Sequence, residues 1–190
     1  IGDLVDWASI EQGKFRLEKN YFEMDKMVEE MSVGPKARAQ QKNIEINVEV
    51  AAGLKMVCAD KRRIGQVLLN LLENAIRHTQ RGGKITVFVS PLEDNVCVSV
   101  TDNGEGIDPE VLPKLCQSFY QPAGGKSPHG RLGLGLSISK EIVQSHDGRI
   151  IVESEGVGKG SSFKFVIPFA KEAPPPDAAK GAQAGGEQQQ

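Results

Sequence analysis

The sequence predicts an α/β two-layer sandwich of the α+β kind: a mixed, mostly antiparallel sheet covered on one face by about three helices. Three observations lead there. Ile44-Glu45-Ile46-Asn47-Val48-Glu49-Val50 alternates apolar and polar residues strictly, as a half-buried strand does. After Asp60, Ile64, Val67, Leu68, Leu71, Leu72, Ala75 and Ile76 recur at i, i+3, i+4, i+7, i+8, i+11 and i+12, a single apolar helical stripe. At about 1.5–3 kcal/mol per large side chain fully buried, that stripe anchors its helix to a sheet. Two further pairs of apolar, β-branched segments, 85–90 with 96–101 and 149–155 with 161–169, supply the sheet.

Taken in order, Ile1 to Gly13 carries apolar residues at Leu4, Val5, Ala8 and Ile10 with a spacing that suits a helix, and Gly13 as its stop. No cap precedes it, so the tail of a longer helix is expected. Lys14 to Asn20 alternates Phe15 and Leu17 with charges and is expected as an edge strand. A helix from about Met24 to Lys42 carries Met27, Val28 and Met31 on one face, with Gly34-Pro35 inside it as the mark of a kink or break. The Asp60-capped helix ends between Thr79 and Gly83. The strand pair 85–90 and 96–101 turns at Glu93-Asp94-Asn95. Asn103 to Leu132 is glycine-rich and poorly periodic, and a helix from about Gly133 to Ser145 precedes the last strands. Beyond Ala170 there is no Leu, Ile, Val or aromatic residue, so 170–190 is expected to be a disordered linker or tail.

The chain of 190 residues has the length of one large domain, or of one domain with appendages. Its formal charge of −2 removes the basic excess that nucleic-acid binders usually carry. The apolar runs are far shorter than the roughly 20 residues a transmembrane helix needs. Polar residues at Asp3 and Asp6 speak against a signal peptide, so a cytoplasmic setting without membrane contact is expected. Cys58, Cys97 and Cys116 form no CxxC pair, and His78, His129 and His146 supply no zinc-like spacing, which predicts reduced, non-ligand cysteines.

Three segments carry residues suited to chemistry. Asn70 and Asn74 stack on one helical face bordering the apolar stripe, where amide oxygens can ligate a Mg²⁺ ion that already holds phosphates. Arg77 and His78 follow one turn on, placing a cation and an aromatic ring beside them. Asp102-Asn103-Gly104-Glu105-Gly106 ends a strand, so a carboxylate can accept from an exocyclic amine while glycine lets the backbone approach a ring. Gly133-Leu134-Gly135-Leu136 opens a helix, whose free N–H groups suit phosphate. Each has a plain structural alternative: a solvated helix edge, an Asp-Asn-Gly turn, a close helix approach. Gly125-Lys126-Ser127 is not a P-loop, because Tyr120 stands where its first glycine belongs and Pro128 blocks the helix. Neither protein Ser/Thr/Tyr kinase signatures nor a Gly-x-Ser-x-Gly elbow occurs.

In order and spacing, Asn70–Thr79, Asp102–Gly106, Leu115–Tyr120 and Gly130–Leu136 resemble the N, G1, F and G2 boxes of the GHKL superfamily. Within it, the chain resembles the catalytic, ATP-binding domain of sensor histidine kinases, over roughly Lys14 to Phe169. Gly158-Lys159-Gly160-Ser161-Ser162-Phe163 is similar to that family's closing strand, and Ile1 to Gly13 to the end of its dimerisation helix. The resemblance implies three parts: 1–13 from the dimerisation domain, 14–169 as the ATP-binding domain, 170–190 as the tail. It also implies ATP and Mg²⁺ as cofactors. Asn74 would be the metal ligand with Asn70 assisting, Arg77 a phosphate contact and His78 a neighbour of the base. Asp102 would read adenine, with Gly104 and Gly106 shaping the pocket and Ser162 reaching the base through water. Ile107, Phe119, Arg131, Gly133, Leu134, Gly135 and Leu136 complete the implied nucleotide contacts, and Cys116 to Leu132 would be a lid.

Departures fall in that lid. Cys116 replaces one of the two usual phenylalanines, Gln121 a common basic residue, and Arg131-Leu132 the usual small residues, so Lys126 or Arg131 is left to supply charge. ATP-hydrolysing relatives such as gyrase place a glutamate base where Asn70 stands, and an amide cannot take a proton from water. The resemblance therefore implies phosphoryl transfer to a histidine of the dimerisation domain, in a homodimer, and onward to the aspartate of a response regulator receiver domain. None of the three histidines here stands in the acceptor's context. Two alternatives remain: a degenerate nucleotide-binding scaffold with impaired transfer, and a GHKL ATPase clamp.

Overall fold

The computed structural model describes residues 2–12, 15–117 and 134–175. Helix α1 (Gly2–Glu11) leads into strand β1 (Asn20–Phe22) and helix α2 (Met24–Gln40). Strands β2 (Glu45–Val50) and β3 (Val57–Ala59) precede helix α3 (Lys61–His78). The hairpin β4 (Lys84–Leu92) and β5 (Asn95–Asp102) follows, then a short 3₁₀ turn (Leu112–Lys114). Helix α4 (Gly135–Gln144) and strands β6 (Arg149–Glu153) and β7 (Ser161–Pro168) complete the described residues.

The main sheet has the order β2-β4-β5-β7-β6. Only β2 and β4 run parallel, because the chain crosses over through α3 between them; every other neighbour is antiparallel. Facing residues Ile46 and Ile85, Val87 and Val100, and Val98 and Phe165 lie in register and are buried. Against that face α3 lies between α2 and α4. All seven apolar residues of the α3 stripe are buried, and Asp60 caps the helix by accepting the Arg63 N–H at 3.1 Å. The two-layer sandwich read from the sequence is thus the fold observed.

Three local expectations need correction. The edge strand expected over Lys14 to Asn20 is instead Asn20–Phe22, antiparallel to Val57–Ala59, a strand too short to announce itself by alternation. Phe15 serves docking instead, its ring 4.8 Å from the Arg63 guanidinium. Second, α2 continues through Pro35, because Met24, Met27, Val28, Ser32, Pro35 and Ala39 form one buried face that outweighs the lost backbone bond. Third, Ala170 belongs to the body: its N–H donates to the Met56 carbonyl at 2.9 Å. Among the described residues no helix is long and apolar enough to cross a membrane.

Candidate functional site

The site begins on α3. Its apolar stripe fixes the helix's rotation about its own axis, so the half-buried Asn70 and Asn74 stand at the stripe's border, Asn70 toward α4. The Asn70 amide nitrogen donates to the Gly135 carbonyl and to Ser139 Oγ, each at 3.1 Å. Because a carbonyl can only accept, that contact identifies the nitrogen and turns Oδ1 away from the Gly135 carbonyl. Farther along, Arg77 and His78 are exposed in the last turn. His78 Nδ1 lies 3.1 Å from the Glu105 carboxylate, and its backbone carbonyl accepts the Glu105 N–H at 3.0 Å.

Asp102 ends β5 on the core face, between Ile85 and Ser161 on the flanking strands, and is 5% exposed. One carboxylate oxygen accepts the Gly104 N–H at 2.9 Å and the other the Ser161 hydroxyl at 2.6 Å. Each oxygen retains a lone pair for a further donor. Past Asp102 the backbone runs under the end of α3 so closely that a Cβ on Gly104 would stand 2.1 Å from the His78 carbonyl oxygen. Gly106 has φ +68, a left-handed conformation, and a Cβ there would stand 2.0 Å from the Gly156 oxygen. Ile107, partly buried against the core, donates its N–H to Ser154 Oγ at 3.0 Å. The Asp102–Ile107 segment is thereby clamped between α3 and the 154–160 loop.

The opening of α4 forms the third wall. Leu134 is buried at its N-cap position and offers no side-chain cap; its carbonyl accepts from the Ile138 N–H and the Ser137 hydroxyl, both at 2.9 Å. First-turn N–H groups without a side-chain cap suit an anion. Leu136 packs against the core. Phe119, Arg131 and Gly133 lie outside the described residues, as does most of the expected lid. At its start Cys116 is half-buried, and burial pushes its thiol pKa up while Lys140 pulls it down.

The structure therefore brings Asn70, Gly135 and Leu134 together, and places Asp102, Gly104, Gly106 and Ile107 beside the end of α3 that carries His78. Ser162 does not join them. Its hydroxyl lies 2.9 Å from that of Thr101, on the sheet face away from the helices, because successive strand residues point to opposite faces. Ser161 takes the place expected of Ser162, and the pairing of Asp102 with Ser161 is the signal that would have found it.

Among the described residues no group of three or more His, Cys, Asp or Glu could hold a metal. Amide oxygens alone make a weak resident site, so the donor set fits a hard cation that arrives with phosphate oxygens of its own. Asn70, its nitrogen engaged by the Gly135 carbonyl and Ser139, has its amide oxygen left for that use.

Residues 59–171 match the family described as histidine kinase-, DNA gyrase B-, and HSP90-like ATPase. The chain is 30% identical over 168 residues to histidine protein kinase DivJ of Caulobacter vibrioides, a match covering 88% of this chain and 28% of DivJ. It is similar to the solved catalytic domain of histidine kinase ThkA, with a TM-score of 0.70 and 32% identity over 80% of this chain and 95% of that one. ThkA in complex with response regulator protein TrrA gives a TM-score of 0.71 at 29% identity, covering 88% of this chain and 47% of that one. Full-length ShkA in complex with AMPPNP gives 0.80 at 28% identity, covering 90% and 35%. The chain spans less than a third of the length of DivJ.

Proposed function

The chain belongs to the histidine kinase-, DNA gyrase B- and HSP90-like ATPases as a catalytic domain of the histidine-kinase branch, and from that premise we propose that it binds Mg·ATP and donates the γ-phosphoryl to a histidine of a dimerisation domain. The observation that carries the reading is the Asn70 amide, anchored through its nitrogen to α4 at the glycine-led helix start. Asp102 accepts the exocyclic amine of adenine and the backbone at Gly104 gives the ring room. First-turn N–H groups of α4 and the exposed Arg77 meet the phosphates. Asn74, assisted by Asn70, holds the metal, and Mg²⁺ supplies charge neutralisation on the phosphoryl oxygens.

Asn70 and Asn74 carry no base that could activate water, so the phosphoryl group waits for an incoming imidazole rather than being lost to hydrolysis. α1 is then the end of the dimerisation helix, 14–169 with Ala170 the ATP-binding body, and this chain a cytoplasmic part of a full-length homodimer. Its product histidine passes the group to a receiver domain, as the complex of ThkA with TrrA suggests by analogy. The test joins this chain to a histidine-bearing dimerisation domain and supplies radiolabelled ATP. Acid-labile label on histidine is expected, with little phosphate release by the chain alone. Sustained phosphate release by the chain alone would favour an ATPase clamp, and nucleotide binding without transfer a scaffold.

A further inference from the structure

We infer that Ser139 is a positioning residue, holding the Asn70 amide so that its oxygen is presented to the metal-bound nucleotide; this rests on the nucleotide reading above. Ser139 is fully buried on the face of α4 that meets α3, one turn after Gly135. A buried hydroxyl costs free energy unless it is hydrogen-bonded, and its partner here is the Asn70 nitrogen at 3.1 Å. The other buried serine of α4 is used differently: the Ser137 hydroxyl closes back on the Leu134 carbonyl. The packing of α4 gives no reason for a hydroxyl at 139, since Ile138, Ile142 and Val143 around it are apolar and buried.

The geometry gives that hydroxyl a task. The two amide hydrogens of Asn70 are divided between the Gly135 carbonyl and Ser139 Oγ. With both satisfied, rotation about the last side-chain bond loses two hydrogen bonds, and Oδ1 stays in one direction. With Ser139 Oγ removed, one hydrogen is left without a partner in a half-buried seam, and the amide is free to swing. Ser139 touches neither nucleotide nor metal; it acts through Asn70.

The test compares wild type, Ser139→Ala, Ser139→Thr and Asn70→Ala in the whole chain, by equilibrium binding of a non-hydrolysable ATP analogue with Mg²⁺ and with EDTA. In wild type, Mg²⁺ tightens binding. Ser139→Ala should lose about three- to tenfold of that gain, the worth of one hydrogen bond, with EDTA affinity unchanged. Ser139→Thr, which keeps the hydroxyl, should restore it. In the Asn70→Ala background, Ser139→Ala should have no further effect, which a packing defect would not imitate. A wild-type Mg²⁺ gain retained in Ser139→Ala overturns the inference alone. Equal weakening with and without Mg²⁺ marks a packing role and also overturns it. Absence of binding by wild type overturns the nucleotide reading itself.

Discussion

Ser161 donates its hydroxyl to the Asp102 carboxylate at 2.6 Å from the neighbouring strand, while the Gly104 N–H holds the other oxygen at 2.9 Å. The carboxylate is therefore aimed before any ligand arrives, at a position 5% exposed. Asp102→Asn replaces one acceptor by an NH₂ that must face either a donor or the ligand. Its affinity for ADP should fall by roughly tenfold or more, the loss of a charge-assisted hydrogen bond. Ser161→Ala should cost about 1.5–3 kcal/mol of stability and weaken ADP binding in the same direction. Calorimetric titration and melting curves read both, and unchanged ADP affinity in Asp102→Asn would remove the adenine role.

Gly104→Ala should deform the site without touching the core. The added Cβ would meet the His78 carbonyl oxygen at 2.1 Å, and backbone rather than a flexible side-chain tip would have to yield. Gly106→Ala adds the left-handed penalty of about 1–2 kcal/mol to its own collision with Gly156. Both variants should melt earlier and bind ADP weakly. Equal ADP affinity in Gly104→Ala would mean that the close approach is not needed.

Acid should loosen the junction of α4 with α3. His146 is buried, with Nδ1 2.7 Å from the Ile142 carbonyl and Nε2 accepting the Asp60 N–H at 2.9 Å. Burial pushes its pKa below the usual value, with Lys19 adding to the effect and Asp60 and Asp147 opposing it. Above about pH 6.5 the ring is neutral folded or unfolded and contributes no slope. As pH falls through that value the unfolded chain takes up the proton first, so stability declines until the folded-state pKa is passed. Melting temperature against pH should fall on the acid side, and His146→Gln should flatten that part of the curve. An identical acid slope in the variant would assign the effect elsewhere.

Asp6 ties α1 to α3. Its carboxylate lies 2.7 Å from Arg63 Nη1 and accepts from the Gln66 amide at 2.9 Å, with the Asp6 and Arg63 side chains 16% and 12% exposed. Asp6→Ala should cost about 1.5–3 kcal/mol locally, read as roughly ten- to hundredfold faster amide exchange in α1. Protection of the β4 and β5 amides should stay as in wild type. Unchanged exchange in α1 would show that apolar packing alone seats it.

Sequence patterns exposed those parts of the fold whose spacing repeats. The α3 stripe and the β4–β5 hairpin are long enough for periodicity to distinguish helix from strand. Strand β3 has three residues and no period to read, and α2 crosses Pro35 because its packing outweighs a local rule. In the site, Asn70, Asp102 and Gly104 stood out because their residue types carry the chemistry. Ser161 and Ser139 did not, since a serine becomes informative only once its partner is known: Asp102 across a strand pair, Asn70 across two helices. The same limit separates Ser161 from Ser162, where a one-residue step changes the sheet face.

The most direct test of a nucleotide held between α3, the Asp102–Ile107 segment and the start of α4 is amide chemical-shift mapping of the whole chain with Mg²⁺ and a non-hydrolysable ATP analogue. Saturable changes should centre on residues 70–78, 102–107 and 134–140, leaving the outer sheet face at Phe88 and Ser99 unmoved. Changes confined to other surfaces, or none at saturating analogue, would contradict the account.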